Sequence, residues 1–107
     1  MFLMPSRYEP CGLNQIYSLR YGTVPVVRAT GGLEDTVDAD TGFKFGPLSA
    51  GEVIGALGAA LDAYKNRDEW TARMRLGMSK DFSWDASARE YHRLYENARS
   101  KAATAAA

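Results

Sequence analysis

Three short apolar runs constrain this chain more than any other feature of its sequence. Phe2-Leu3-Met4 ends at Pro5, Val24–Arg28 reads VPVVR, and Gly42–Phe45 reads GFKF. Each is too short for a helix and is bounded by glycine or proline, as buried parallel strands are. Between the first two lies Leu13–Tyr21, with Leu13, Ile16, Tyr17 and Arg20 at helical spacing and Gly22 placed as a C-terminal cap. Strand, helix and strand in series predict an α/β fold with a parallel sheet of about three strands and flanking helices. Pro25, near the start of VPVVR, argues mildly against a central strand. The loop with Gly31-Gly32 joins the second run to the third.

Beyond Phe45 the chain reads as helical to its C-terminus. Ser49-Ala-Gly-Glu52 has the form of a capping box. It opens a helix over Ala50–Asn66 with Val53, Leu57, Leu61 and Tyr64 as its buried stripe, despite Gly55 and Gly58. Trp70, Met74 and Met78 mark a second helix over Asp68–Ser79. Trp84, Ala88, Tyr91, Tyr95 and Ala98 mark a third, with Ser83 as N-cap. The helical spacing of Trp70, Trp84, Tyr91 and Tyr95 predicts core aromatics rather than a base-stacking platform. Residues 101–107 are an alanine-rich tail, expected to be frayed or disordered. An ordinary doubly wound sheet has five or six strands, so three read as part of one.

Composition narrows the function classes. With 107 residues and 46% hydrophobic content, the chain supports one core and hardly two. Lys plus Arg and Asp plus Glu number 13 each, so no bulk field attracts nucleic acid or an anionic membrane. A single cysteine forms no internal disulfide, the apolar runs are too short to span a bilayer, and Met1–Ser6 lacks a signal-peptide layout. The expectation is an intracellular domain that uses neither nucleic acid nor membrane. His92, beside Arg89, Glu90 and Arg93, reads as a surface residue, and no pair of metal ligands has useful spacing.

Ligands of open parallel sheets bind beyond the carboxyl ends of the strands. Two loops meet that condition here: Ser6–Gly12 after the first strand and Thr30–Leu33 after the second. A right-handed crossover through Leu13–Tyr21 places both on one edge. The helix that begins near Gly12-Leu13 offers free amides to phosphate, and Gly12 leaves room for it. Glu9 has two roles open to it on residue type alone: orienting sugar hydroxyls or stabilising developing positive charge, or serving the helix dipole as a cap. Gly31-Gly32 reads either as a ligand loop or as a plain turn, and Cys11 either as a site residue or as a packed small side chain.

The stretch PSRYEPCGLNQIYSLRYGTVPVVRATGGLEDTV, Pro5–Val37, closely resembles bacterial glycogen synthases and plant starch synthases. TGFKF at Thr41–Phe45 and FSWDASAREYHRLY at Phe82–Tyr95 extend the likeness to about Tyr95. The resemblance implies residues 1–100 to be part of the Rossmann-like C-terminal, donor-side domain of a retaining GT-B glycosyltransferase. Such enzymes move glucose from ADP-glucose, or UDP-glucose in some relatives, to the non-reducing end of an α-1,4-glucan, using no cofactor beyond the donor. It implies Glu9 as the catalytic acid beside the donor glucose and Cys11 in the same loop. The amides near Gly12 and Leu13 would face the diphosphate, and Thr30, Gly31, Gly32 and Leu33 would line the nucleotide-sugar pocket. Tyr17 stands where many related transferases carry a second glutamate, as is usual among glycogen synthases.

The family's KTGGL donor loop, its acceptor-domain histidine, its phosphate-clamping arginine and lysine, and its adenine-stacking aromatic have no counterpart in these residues. In the family all of them belong to segments preceding this stretch. The expectation is therefore an isolated chain that is inactive without an N-terminal Rossmann domain, because one wall of a cleft neither excludes water nor positions an acceptor. The helix Trp84–Arg99 resembles the segment that crosses back to that domain. Without the domain, its apolar stripe must fold onto its own core, pair with another copy or stay exposed. The implied location is the bacterial cytoplasm or the plastid stroma. The alternative is a non-catalytic nucleotide- or phosphate-binding, or dimerising, α/β module; a flavodoxin-like domain with a coincidental motif is a third reading.

Overall fold

The computed structural model describes residues 1–105. Strands β1 (Phe2–Met4), β2 (Pro25–Arg28) and β3 (Phe43–Phe45) form one parallel sheet in the order β1-β2-β3. Helices α1 (Asn14–Arg20) and α2 (Gly31–Thr36) make the two crossovers, and α3 (Ala50–Lys65), α4 (Arg67–Ser79) and α5 (Trp84–Ala105) follow. Val26 and Val27, wholly buried, pair with Leu3 and Met4 on one side and with Phe43 and Lys44 on the other. Pro25 opens this central strand, the one position where its missing N–H interrupts no ladder. The core joins Met4, Val27, Leu33 and Val37, so sheet and α2 close on each other.

Two readings of the sheet region need correction. β1 is not a buried strand: Phe2 and Leu3 are 40% and 37% exposed, because β1 is an edge strand and only Met4 reaches the core. The Gly31-Gly32 segment is not merely a loop but the first turn of α2, whose apolar content, Leu33 and Val37, is too sparse to show a helical period.

Helix termini follow the sequence more closely. Ser49 Oγ accepts a hydrogen bond from the Glu52 N–H at 3.3 Å, and Ser83 Oγ accepts one from the Ala86 N–H at 3.2 Å. Gly22 ends α1 in the left-handed region at φ +71°, its N–H bonded to the Leu19 carbonyl. Asn66 closes α3 and caps α4 through a bond from the Glu69 N–H at 3.3 Å, which is why α4 starts at Arg67.

The buried faces differ from expectation. In α3 it is Ala60 that is fully buried, while Leu61 and Tyr64 are 55% and 44% exposed. Small residues let α3 approach β3 and α4 along Ala60, one position away from the stripe drawn through the larger side chains. Trp70 is core as expected, stacked on Phe43 and met edge-on by Tyr64. In α4, Gly77 rather than Met78 lies at the contact: a Cβ there would sit 2.9 Å from Leu19 Cδ2. Gly55 and Gly58 meet nothing within 4 Å of a built Cβ, so they weaken α3 with no packing return. Gly58→Ala is expected to stabilise the chain by about 0.5–1 kcal/mol, read as a higher urea midpoint at unchanged slope.

Trp84, Tyr91 and Tyr95 are not core: they are 90%, 61% and 65% exposed, and among the described residues α5 buries no side chain. Helical spacing finds the apolar face of a helix but not what covers it. α5 continues through Ala105, so most of the alanine-rich tail is helical; residues 106 and 107 lie outside the described residues. Among the described residues no helix is long and apolar enough to cross a membrane.

Candidate functional site

The carboxyl ends of β1 and β2 bring the two glycine loops into direct contact. The Gly32 N–H donates to the Glu9 carbonyl at 2.8 Å. Gly31 sits at φ +48°, and a Cβ on it would lie 2.2 Å from the Glu9 carbonyl oxygen. Neither the dihedral nor the gap admits a side chain. A Cβ on Gly32 would press on Cys11 Cα and Pro10 O at 3.1 Å. These contacts give both glycines a packing reason: the pair is where one loop's backbone lies against the other's.

Glu9 is half-buried, and its side chain folds over Gly12, whose built Cβ would fall 2.8 Å from Glu9 Cγ and 2.9 Å from Cδ. Its carboxylate makes no hydrogen bond or ion pair among the described residues, so it caps no helix amide. Cys11 is an exposed free thiol, not a packed side chain. Leu13 is 55% exposed at the N-cap of α1, and Thr30 occupies the N-cap of α2. Neither residue's side chain caps its helix, so the first turn of α1 meets this edge uncapped, whereas in α2 the Gly32 N–H is already taken by the Glu9 carbonyl. Leu33 differs: its side chain is wholly buried in the core, so only its backbone reaches the edge. Glu9, Cys11, Gly12, Leu13, Thr30, Gly31 and Gly32 thus gather at one place.

Two residues that sequence reasoning passed over hold the place together. Gln15 is 0% exposed; its Nε2 donates to the Gly12 carbonyl and, at 3.1 Å, to Thr36 Oγ1. Thr36 Oγ1 in turn donates to the Gly32 carbonyl at 2.6 Å. A chain of hydrogen bonds therefore runs beneath the surface from one loop to the other. Arg28, at the end of β2, reaches the Gly46 carbonyl through Nε at 3.0 Å and the Arg7 carbonyl through its guanidinium. It ties together the segments leaving all three strands. Gln15 lies off the Leu13, Ile16, Tyr17 and Arg20 period, on the face of α1 that it shares with buried Leu19, so that period pointed away from the first. Nothing in sequence marks the second, because its partners are carbonyls. Gln15→Leu is expected to cost about 1–3 kcal/mol in a urea titration, since Gly12 O loses a buried donor.

Farther along the sheet, Asp38 accepts hydrogen bonds from Lys80 and from Thr41 Oγ1, the latter at 3.0 Å. The Lys80 bond foremost holds its carboxyl below the usual carboxylate range. Arg73, stacked over Phe43 at 4.7 Å, donates to the Ala39 carbonyl, so α4 is fastened to the segment between α2 and β3. His92 is a surface residue, 3.6 Å from Glu96.

No protein-family model matches the chain. The glycogen synthase of Koribacter versatilis (strain Ellin345) is 56% identical over 106 residues, which span 92% of this chain and 22% of that protein. That of Anaeromyxobacter sp. (strain Fw109-5) is 55% identical over 103 residues, 91% of this chain and 22% of its own length. The chain is a homologue of one segment of the glycogen synthases. This segment spans about a fifth of the curated glycogen synthases it matches.

The fold agrees with this homology. It superposes on the catalytic domain of starch synthase IV from Arabidopsis thaliana, determined bound to ADP and acarbose, with a TM-score of 0.79 and 36% identity. That match covers 91% of this chain and 22% of the other. The sucrose-phosphate synthase of Thermosynechococcus elongatus follows with a TM-score of 0.67 and 29% identity, over 92% of this chain and 25% of its own. Three parallel strands, flanking helices and a long C-terminal helix are thus a portion of a GT-B glycosyltransferase domain.

Proposed function

We propose that the 107 residues supply the donor-side face of a retaining glucosyltransferase that moves glucose from ADP-glucose, or UDP-glucose, to the non-reducing end of an α-1,4-glucan. The carrying observation is the junction of the two loops, where the Gly32 N–H meets the Glu9 carbonyl in a chain homologous to the glycogen synthases. In this reading the Glu9 carboxylate faces the donor glucose and stabilises positive charge developing at its anomeric carbon. The free amides near Gly12 and Leu13 donate hydrogen bonds to the diphosphate oxygens, and Cys11 lies beside the sugar. Thr30, Gly31, Gly32 and the Leu33 backbone line the nucleotide side. Residues 1–100 form the working unit, in a bacterial cytoplasm or a plastid stroma.

The 107 residues alone are expected to be inactive. Glu9 and both helix starts stand on one open edge, with no opposing wall among the described residues to exclude water or hold an acceptor. The test replaces the matching segment of the Koribacter versatilis glycogen synthase with this chain and assays transfer from ADP-[14C]glucose to glycogen, alongside the 107 residues alone. An active chimera and an inactive isolated chain are expected. A well-folded but inactive chimera would overturn the donor-side reading, and turnover by the isolated chain would overturn the one-wall argument.

A further inference from the structure

One peptide of the glycine-loop edge, Gly12–Leu13, takes its orientation from a buried side chain. Gln15 is 0% exposed and its Nε2 donates to the Gly12 carbonyl, so that carbonyl points into the protein. Among the described residues every peptide is trans, and in a planar trans peptide the C=O and the following N–H point opposite ways. The Leu13 N–H is therefore turned outward, and it meets no acceptor among the described residues. Gly12 has no Cβ to restrict its dihedrals, so the bond from Gln15 is what holds this tilt.

Gln15 is itself held from the other loop. Its Nε2 also donates to Thr36 Oγ1 at 3.1 Å, and Thr36 Oγ1 donates to the Gly32 carbonyl at 2.6 Å. A hydroxyl bonded only to the carbonyl four residues back is an ordinary feature of a helix. Here it also fixes a side chain 21 residues away. The Gly32 N–H donates to the Glu9 carbonyl at 2.8 Å, so the segment Glu9–Gly12 is tied to the first turn of α2 at both ends. The Gln15 amide serves this relay as a donor only. Its Oε1 is buried without a partner among the described residues, 3.1 Å from where a Cβ on Gly12 would stand. That same point lies 2.9 Å from Glu9 Cδ, so Oε1 borders the notch over which Glu9 folds. Every atom of the relay belongs to this chain, so its geometry does not depend on what faces the edge.

We propose that Gln15 is a positioning residue for the diphosphate of the nucleotide-sugar: braced by Thr36, it turns the Leu13 N–H toward the phosphate oxygens. The proposal rests on the donor-side reading and adds to it the group that aims the amide. The test uses the chimera with the Koribacter versatilis glycogen synthase, with ADP and adenosine as inhibitors competing against ADP-glucose. Gln15→Met removes both donated bonds at nearly unchanged side-chain length. An amide that holds the diphosphate equally in ground and transition states acts on KM rather than kcat. The KM for ADP-glucose and the inhibition constant of ADP are each expected to rise about tenfold, with kcat within about threefold of its starting value. Adenosine, which lacks phosphate, is expected to inhibit as before. Thr36→Val keeps the shape and loses the hydroxyl, and is expected to raise the same two constants about threefold. Thr36→Ser keeps the hydroxyl and is expected to restore them. ADP and adenosine weakened alike, or Thr36→Ser no better than Thr36→Val, would overturn the proposal, because either result reports loosened packing. So would an ADP inhibition constant unmoved by Gln15→Met where ADP inhibits the unsubstituted chimera. An unsubstituted chimera that ADP does not inhibit would instead overturn the donor-side reading, and the proposal with it.

Discussion

Glu9→Gln, made in the chimera with the Koribacter versatilis glycogen synthase, is expected to lower kcat about a thousandfold, roughly 4 kcal/mol of activation free energy. Glutamine keeps the shape of the side chain over Gly12 and removes only its charge, so the loss reports electrostatics rather than packing. If Glu9 stabilises charge that exists only in the transition state, the KM for the nucleotide-sugar hardly changes. Steady-state kinetics with varied donor separate the two parameters. A fall of less than tenfold in kcat would remove Glu9 from the chemistry. A rise in KM at unchanged kcat would make it a binding residue instead.

Gly31→Ala is the second large expectation. A methyl group there would lie 2.2 Å from the Glu9 carbonyl oxygen, and φ +48° is costly for any other residue. Both sides of the clash are backbone, so relief requires the loops to separate and the Gly32–Glu9 hydrogen bond to break. The expected cost is about 3 kcal/mol or more, a large share of what holds a domain of this size together. Urea denaturation of the isolated chain reads it directly, and in the chimera the displaced loop carries Glu9 away with it. Gly58→Ala is the matched control, because the same added methyl there meets nothing. If Gly31→Ala costs no stability, the two loops are not in contact in solution.

How far the sequence reaches depends on whether a signal is local or assembled. The strand runs, the Ser49 and Ser83 caps and the Gly22 terminus are local: a few neighbouring residues carry their whole physical cause. The gathering of Glu9, Cys11, Gly12, Thr30, Gly31 and Gly32 was legible too, because parallel strands joined by a right-handed crossover leave their loops on one edge. α2 was not, since a six-residue helix with few apolar residues shows no period. The α3 face was misplaced by one position because side-chain size suggested Leu61, whereas close approach favours Ala60.

By itself, then, the sequence determined the class of fold and the sheet edge at which the two glycine loops meet. The tertiary structure alone decided what holds that edge in place and which apolar faces have partners. Gln15 and Arg28 act through carbonyls of residues far along the chain, and a carbonyl has no letter in a sequence. Leu33 went to the core and the α5 aromatics to solvent because burial depends on what is packed opposite, which periodicity along one helix or strand does not encode.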